Sequence, residues 1–292
     1  MGSTSQIAIK KRATPFLIRS NLLLSLPIIC GTLLLTFIIV LAIIGPWISG
    51  YTYFDIDLPN KNQAPSWVHW FGTDDLGRDI FMRIWYGARI SLLVGILAAL
   101  IDMFIGVLWG GTAALAGGII EELMMRAADV LYAIPYMLVV ILSAVFLGTG
   151  FVSILVSMTI MGWITMARIV RGQVAKLKHE EFVLASKALG ASFSWILFRH
   201  LIPNAIGPII VTLTLTIPSA IFTEAFLSFL GLGIQAPMAS WGTMANDGLP
   251  ALSYYPWRLF FPACFISLTI FAFNLIGDGL RDMFSLPTNS QV

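Results

Sequence analysis

Two carboxylates stand where the surrounding sequence offers them little water. Asp102 falls near the middle of an apolar stretch that begins at about Ile90, and Glu224 closes another that begins at about Ala205. A carboxylate at mid-bilayer costs about 2.5–3.5 kcal/mol on insertion scales, so it marks a passage for a polar substrate or a packed polar contact. For Asp102 the readings are a pathway residue and a bond to a Ser, Thr or Trp of a neighbouring helix. For Glu224 they are a gate and a cap or interfacial hydrogen bond. Asp74, Gly77, Arg78 and Asp79 form a third polar group, which reads as a turn whose charges pair locally.

Familiar catalytic arrangements are missing. No Lys follows a Gly anywhere, so no phosphate-cradling Gly-Lys loop exists and any ATP dependence must come from a partner. His179-Glu180-Glu181 lacks a second His at the helical spacing of a zinc protease, and neither His69 nor His200 sits in a ligand cluster, so no metal is expected. A membrane-embedded enzyme would need a nucleophile with its base, and the sequence offers no such set. Cys30 and Cys264 lie in apolar runs, where a cysteine behaves as a small buried hydrophobe.

The elements that must position these groups follow from composition. Of 292 residues, 58% are hydrophobic and 11% charged, against about a quarter charged in soluble domains. Charge-free runs cover 20–54, 103–120, 130–167, 201–223 and 259–277. About 20 apolar residues cross a bilayer. The runs therefore predict an all-α integral membrane protein with six transmembrane helices. The first is expected at 23–48, the second from about Ile90 to Gly117, and the third and fourth within 127–170, separated by a turn at Gly148-Thr149-Gly150. The fifth is expected from about Ala205 to Glu224 and the sixth from about Arg258 to Gly277. Gly106 and Gly110 form a Gly-x-x-x-Gly pair that lets a partner helix approach closely. The stretch from about Leu230 to Trp257 reads as a segment dipping partly into the membrane, with Trp241 and Trp257 as interfacial anchors.

Positive residues are retained on the cytoplasmic side. Twelve Lys and Arg, among them Lys10, Lys11, Arg12, Arg19, Arg168 and Arg171, fall on one side of the six spans, and five fall on the other. Both termini, 1–22 and 280–292, and the loop at about 171–204 are therefore expected in the cytoplasm, with 49–88 outside. No basic patch is dense enough for nucleic acid. The cytoplasmic loop reads KHEEFVLASKALGASFSWILFRHLIPN from Lys178 to Asn204. It predicts two short helices, the first ended by Gly190 in a left-handed cap and the second started by Ser192 or Ser194. Such a loop could form a knob entering a cleft of a cytoplasmic partner, or an interfacial helix whose Lys176, Lys178, Lys187 and Arg199 touch lipid headgroups.

This loop resembles the signature of the membrane subunits of ABC importers, carried here by Ala185, Gly190, Ile202 and Pro203, with Leu184 where many members have Glu. Further segments resemble the C-type permease subunit of the oligopeptide, dipeptide and nickel branch. They are FGTDDLGRDIFMRIWYGARISLLVG (71–95), MARIVRGQ (166–173), EAFLSFLGLG (224–233), SWGTMANDG (240–248) and FNLIGDGLRD (273–282).

The resemblance implies a type I ABC importer permease fold, with a five-helix core at 89–279 flanked by the first helix. It implies a homologous second permease subunit, two separate ATPase subunits that hold ATP and Mg, and an external substrate-binding protein, in a bacterial inner (plasma) membrane. This chain itself would bind no cofactor and catalyse no reaction. Glu181, Ala185, Ser186, Gly190, Arg199 and Pro203 would contact an ATPase, and Asp74, Arg78 and Asp79 would be candidates for docking the binding protein. Oligopeptides are the expected substrate, with dipeptides, nickel chelates or glutathione as alternatives. A secondary transporter driven by an ion gradient is the more distant alternative, with Asp102 as its thin support.

Overall fold

A computed structural model describes residues 26–285. Lys10, Lys11, Arg12 and Arg19, the N-terminal tail and the end of the C-terminal tail lie outside the described residues. Among those described, every regular element is helical. α1 is Leu26–Ile48, α2 Ile80–Ala116, α3 Gly118–Tyr132, α4 Tyr136–Leu147 and α5 Phe151–Leu177. The short α6 (Glu181–Ala188), α7 (Phe193–Ile196) and α8 (Ile202–Asn204) follow, and then α9 (Ile206–Phe229), α10 (Trp241–Gly248) and α11 (Trp257–Ser285). α1, α2, α5, α9 and α11 are each long and apolar enough to cross a membrane.

The sixth crossing differs from its expected form. α3 and α4 pass together as one apolar span only with a bend of 78° between them, at Ala133-Ile134-Pro135. Proline has no amide hydrogen to continue the helix and restricts the residue before it. The turn at Gly148-Thr149-Gly150 stands where the sequence placed it, with φ of 78° and 147° at its two glycines. α2 begins at Ile80, ahead of the span expected from about Ile90. The nearly three turns of helix before Ile90 carry Arg83, which is buried and lies 3.5 Å from Asp74 and 3.7 Å from Asp247. Counting charges could not reveal those partners.

α2 and α5 form the most extensive helix pair, for the reason that Gly106 and Gly110 suggested. A Cβ on Gly106 would stand 2.7 Å from the Trp163 carbonyl oxygen, and one on Gly110 would run into that of Ala167. Gly31 gives α1 a similar approach to Ala272 on α11. α1 contains Pro46, which removes the amide that would serve the Ala42 carbonyl. Arg89 on α2 replaces it, its Nε donating to Ala42 O at 2.6 Å and its Nη2 to Ile43 O at 2.9 Å. The carbonyl that Pro46 leaves unmet is not left to the lipid.

Toward the external end, Ile38, Trp85, Ile221 and Trp241 share a core with Phe71, Phe261 and Phe265. Trp241 is fully buried and donates its indole N–H to Ile84 O at 3.0 Å, so it is a core residue and not an interfacial anchor. The segment expected to dip toward the membrane is anchored by this ring. α10, capped by the Ser240 and Thr243 hydroxyls, packs against α9 and α11. Cys30 is exposed on the α1 surface instead of buried, and both cysteines are free.

Candidate functional site

The external turn is built on carboxylates. Asp74 accepts from the amides of Leu76 and Arg78 at 2.9 Å each, and from Arg78 Nε at 2.7 Å. Asp79 caps α2 by accepting from Met82 N at 2.8 Å, and its other oxygen lies 3.0 Å from His69 Nδ1. Burial raises the Asp79 pKa, opposed by the Met82 amide and His69. Asp74, Arg78 and Asp79 are all buried. Their side-chain contacts are spent largely in building the turn. Gly77 takes φ of 76° in this turn.

Glu224 is wholly inside the protein. Its carboxylate accepts from Ser91 Oγ on α2 and from Ser228 Oγ on its own helix, each at 2.8 Å. Ser91 Oγ also receives the Trp241 amide at 3.3 Å. A buried carboxylate with both oxygens partnered, one from α2 and one from its own helix, is a packed polar contact in this structure. The expected cap or interfacial bond is in fact a buried clasp between α2 and α9, because α9 runs on to Phe229 past the expected end of the span.

Asp102 has the opposite environment. It is buried, its Oδ1 has no hydrogen-bond partner, and the expected Ser, Thr or Trp partner is not there. Gly162 on α5 leaves room for the carboxylate, which a Cβ at that position would strike. Asp102 borders a cavity of about 730 Å³ between α3, α4, α5 and α9. Tyr136, whose hydroxyl is also buried without a partner, lines it, as do Thr212, Thr216, Ser219 and Thr223 along α9. Sequence reading passed over these hydroxyls. Their signal was a polar row at helical spacing within an otherwise apolar run.

At the other end, Arg171 donates to Glu121 at 2.6 Å, Arg168 to Asp129 at 2.8 Å, and Lys178 Nζ to the α2 carbonyl of Ala114 at 2.8 Å. Lys178 is thus engaged by protein rather than free for headgroups. α6 ends in a Schellman motif: Gly190 N–H donates to Lys187 O at 2.9 Å and Ala191 N–H to Ser186 O at 3.1 Å, with Gly190 at φ 81°. Ser192 caps α7 by accepting from Trp195 N at 3.3 Å. Ser186 Oγ lies 3.3 Å from His200 Nε2. Before Pro203 the backbone widens into a π-turn over Leu197–Leu201.

Val183, Ile196, Leu197 and Leu201 root this unit in a core with Val170 and Val174 of α5. Glu181, Ala185, Gly190, Arg199 and Pro203 are exposed and Ser186 half-buried. Leu184 and Leu189 are also exposed, Leu189 at 88%. The knob is thus rooted in the bundle while Leu184 and Leu189 stay bare.

Bent and straight membrane helices around a largely apolar cavity with a row of hydroxyls and one carboxylate, and a rooted knob at one end, define a multi-pass permease of the type I ABC importer fold. The chain belongs to the family described as binding-protein-dependent transport system inner membrane component, which matches residues 102–286. The N-terminal transmembrane domain of oligopeptide transport permease C matches residues 29–65. The oligopeptide transport system permease protein OppC of Bacillus subtilis (strain 168) is 60% identical over 86% of this chain and 83% of its own. The dipeptide transport system permease protein DppC of the same organism is 59% identical over 86% and 79%. OppC of Escherichia coli (strain K12) is 43% identical over 87% and 85%. An inward-facing structure of the MetNI methionine ABC transporter superposes with a TM-score of 0.58 at 16% identity, over 70% of this chain and 97% of that one. The protein is therefore a multi-pass inner-membrane permease of an ABC importer, a family whose members work with a second permease and ATPase subunits.

Proposed function

We propose that this chain is one of two homologous permease subunits of an ATP-driven importer that carries peptides, oligopeptides first, across the bacterial inner membrane. The observation that carries the peptide reading is the 60% identity to a protein named as an oligopeptide permease subunit, sustained over 86% of the chain. The almost equal likeness to a dipeptide permease supports dipeptides as the second reading. Both termini lie in the cytoplasm in this account, and an external binding protein delivers the substrate.

The knob is the mechanical link to two separate ATPase subunits, which hold the ATP and Mg. Glu181, Ala185, Ser186, Gly190, Arg199 and Pro203 meet the ATPase, with Leu184 and Leu189 supplying apolar area. Nucleotide binding draws the ATPases together, and because the knob is rooted in α5 its displacement reaches the transmembrane helices. Coupling requires that nucleotide favour one permease state over the other, since equal affinity for both would shift nothing.

Cross-linking tests this directly. With Cys30 and Cys264 changed to Ser, a cysteine at Leu189 is expected to cross-link to an ATPase subunit in the assembled complex, more or less efficiently as ATP is added. A cysteine at Trp67, which is 97% exposed on the external segment, is expected not to. Equal labelling of both positions, or none at Leu189, would remove the coupling role.

A further inference from the structure

The cavity beside Asp102 has a chemistry that points to one end of a substrate. Asp102 is the one formally charged residue among the described residues that line it. Its side chain is 5% exposed, with one oxygen unpartnered. A buried carboxylate without a partner is costly, and a cation that enters to meet it recovers much of that cost.

The α9 wall is equally one-sided. Thr212, Thr216 and Thr223 donate their hydroxyl hydrogens to the carbonyls of Pro208, Thr212 and Ser219, each at 2.8 Å. Ser219 donates to Leu215 O at 3.3 Å. With its hydrogen spent on the helix, each oxygen has only lone pairs to offer the cavity. In this arrangement the wall turns acceptor oxygens to the cavity, which suits backbone N–H groups. From Thr212 to Thr223 at about 1.5 Å per residue the row runs about 16 Å, the length of about five extended residues at about 3.3 Å each. Met158 and Met161 on the facing helix are adaptable apolar surfaces that tolerate varied side chains.

We infer that this cavity is a substrate site within the permease, where Asp102 receives the free α-ammonium group of a peptide and the α9 hydroxyls accept from its leading N–H groups. The inference rests on the peptide-import reading and assigns a part of the substrate to a residue. It makes the permease itself selective for an unblocked N-terminus, independently of any binding protein.

The test uses the complex of both permeases and both ATPases in nanodiscs, without the binding protein. Tetra-alanine carrying a C-terminal fluorophore is displaced by tetra-alanine or by N-acetyl-tetra-alanine. Wild type is expected to prefer the free amine at least tenfold. Asp102→Asn, close in size and uncharged, is expected to lose that preference, by weakening for the free amine while the acetylated peptide binds as before. Equal displacement by the two peptides in wild type would overturn the inference, whether or not the variant assembles, and so would an unchanged preference in Asp102→Asn. ATP-dependent tetra-alanine uptake by the same complex with its binding protein is read separately. Uptake without amine preference removes the Asp102 site and leaves peptide import standing, whereas no ATP-dependent uptake removes the peptide-import reading and the site with it.

Discussion

Gly190→Val is expected to leave the chain inserted and assembled with its partners while cutting nucleotide-driven uptake at least tenfold. Gly190 has φ of 81°, and a Cβ placed there meets nothing within 4 Å. The defect is therefore one of backbone conformation and not of packing. An L-residue in the left-handed region costs about 1–2 kcal/mol, and more if β-branched. The chain relieves that strain by abandoning the Schellman motif, which redirects α6 relative to α7. Val183 and Ile196 still root the two helices, but Leu184 and Leu189 no longer face the ATPase at the same angle. Hydrolysis should then continue without transport. Gly190→Asn, which tolerates a left-handed conformation better, should recover part of the uptake. Measuring hydrolysis and uptake on one preparation checks this, and normal uptake by Gly190→Val would refute the coupling role of the knob.

Gly110→Leu should be more damaging, because it acts on the frame. The new Cβ would run into the Ala167 carbonyl oxygen and stand 3.0 Å from its Cα. Those are backbone atoms of a facing helix, which no side-chain rotation can move. α2 and α5 must separate around this contact, at a cost of about 1–3 kcal/mol and occasionally more. That is a large share of the roughly 5–15 kcal/mol that holds a protein folded. The expected result is loss of the monodisperse species after detergent extraction, followed by gel filtration. Gly172→Leu on the same α5, where a Cβ meets nothing within 4 Å, should extract normally. A stable Gly110→Leu chain would mean that the α2–α5 seam is not the frame described here.

These two glycines also show how much could be read from the sequence. Gly190 between two short apolar stripes, and Gly106 with Gly110 in one span, announce their geometry by local spacing, as does Gly148-Thr149-Gly150. Helix boundaries were less legible where charge is internally neutralised. Arg83 and Arg89 looked like the end of a membrane segment, yet Arg83 finds Asp74 and Asp247, and Arg89 finds the Ala42 carbonyl freed by Pro46 and that of Ile43 beside it. Those partners are distant in sequence, so no window of residues displays them. The same holds for the polar groups. Nothing near Glu224 says that Ser91 will reach it, and nothing near Asp102 says that its carboxylate will lie against Gly162 without a partner. Asp74, Arg78 and Asp79 were visible as a turn, but their burial was not, because the protein around them comes largely from helices later in the chain. The cavity needed five helices and a 78° bend before its hydroxyl row had anything to face.

The central claim is that this chain moves peptides only as part of a nucleotide-driven assembly. Its most direct test is uptake of radiolabelled tetra-alanine into proteoliposomes holding this chain with the second permease and the ATPases, with and without ATP on the ATPase side and with and without the external binding protein. The account predicts uptake that requires both and persists when ionophores collapse proton and sodium gradients. Uptake by this chain alone, driven by such a gradient and indifferent to ATP, would contradict it.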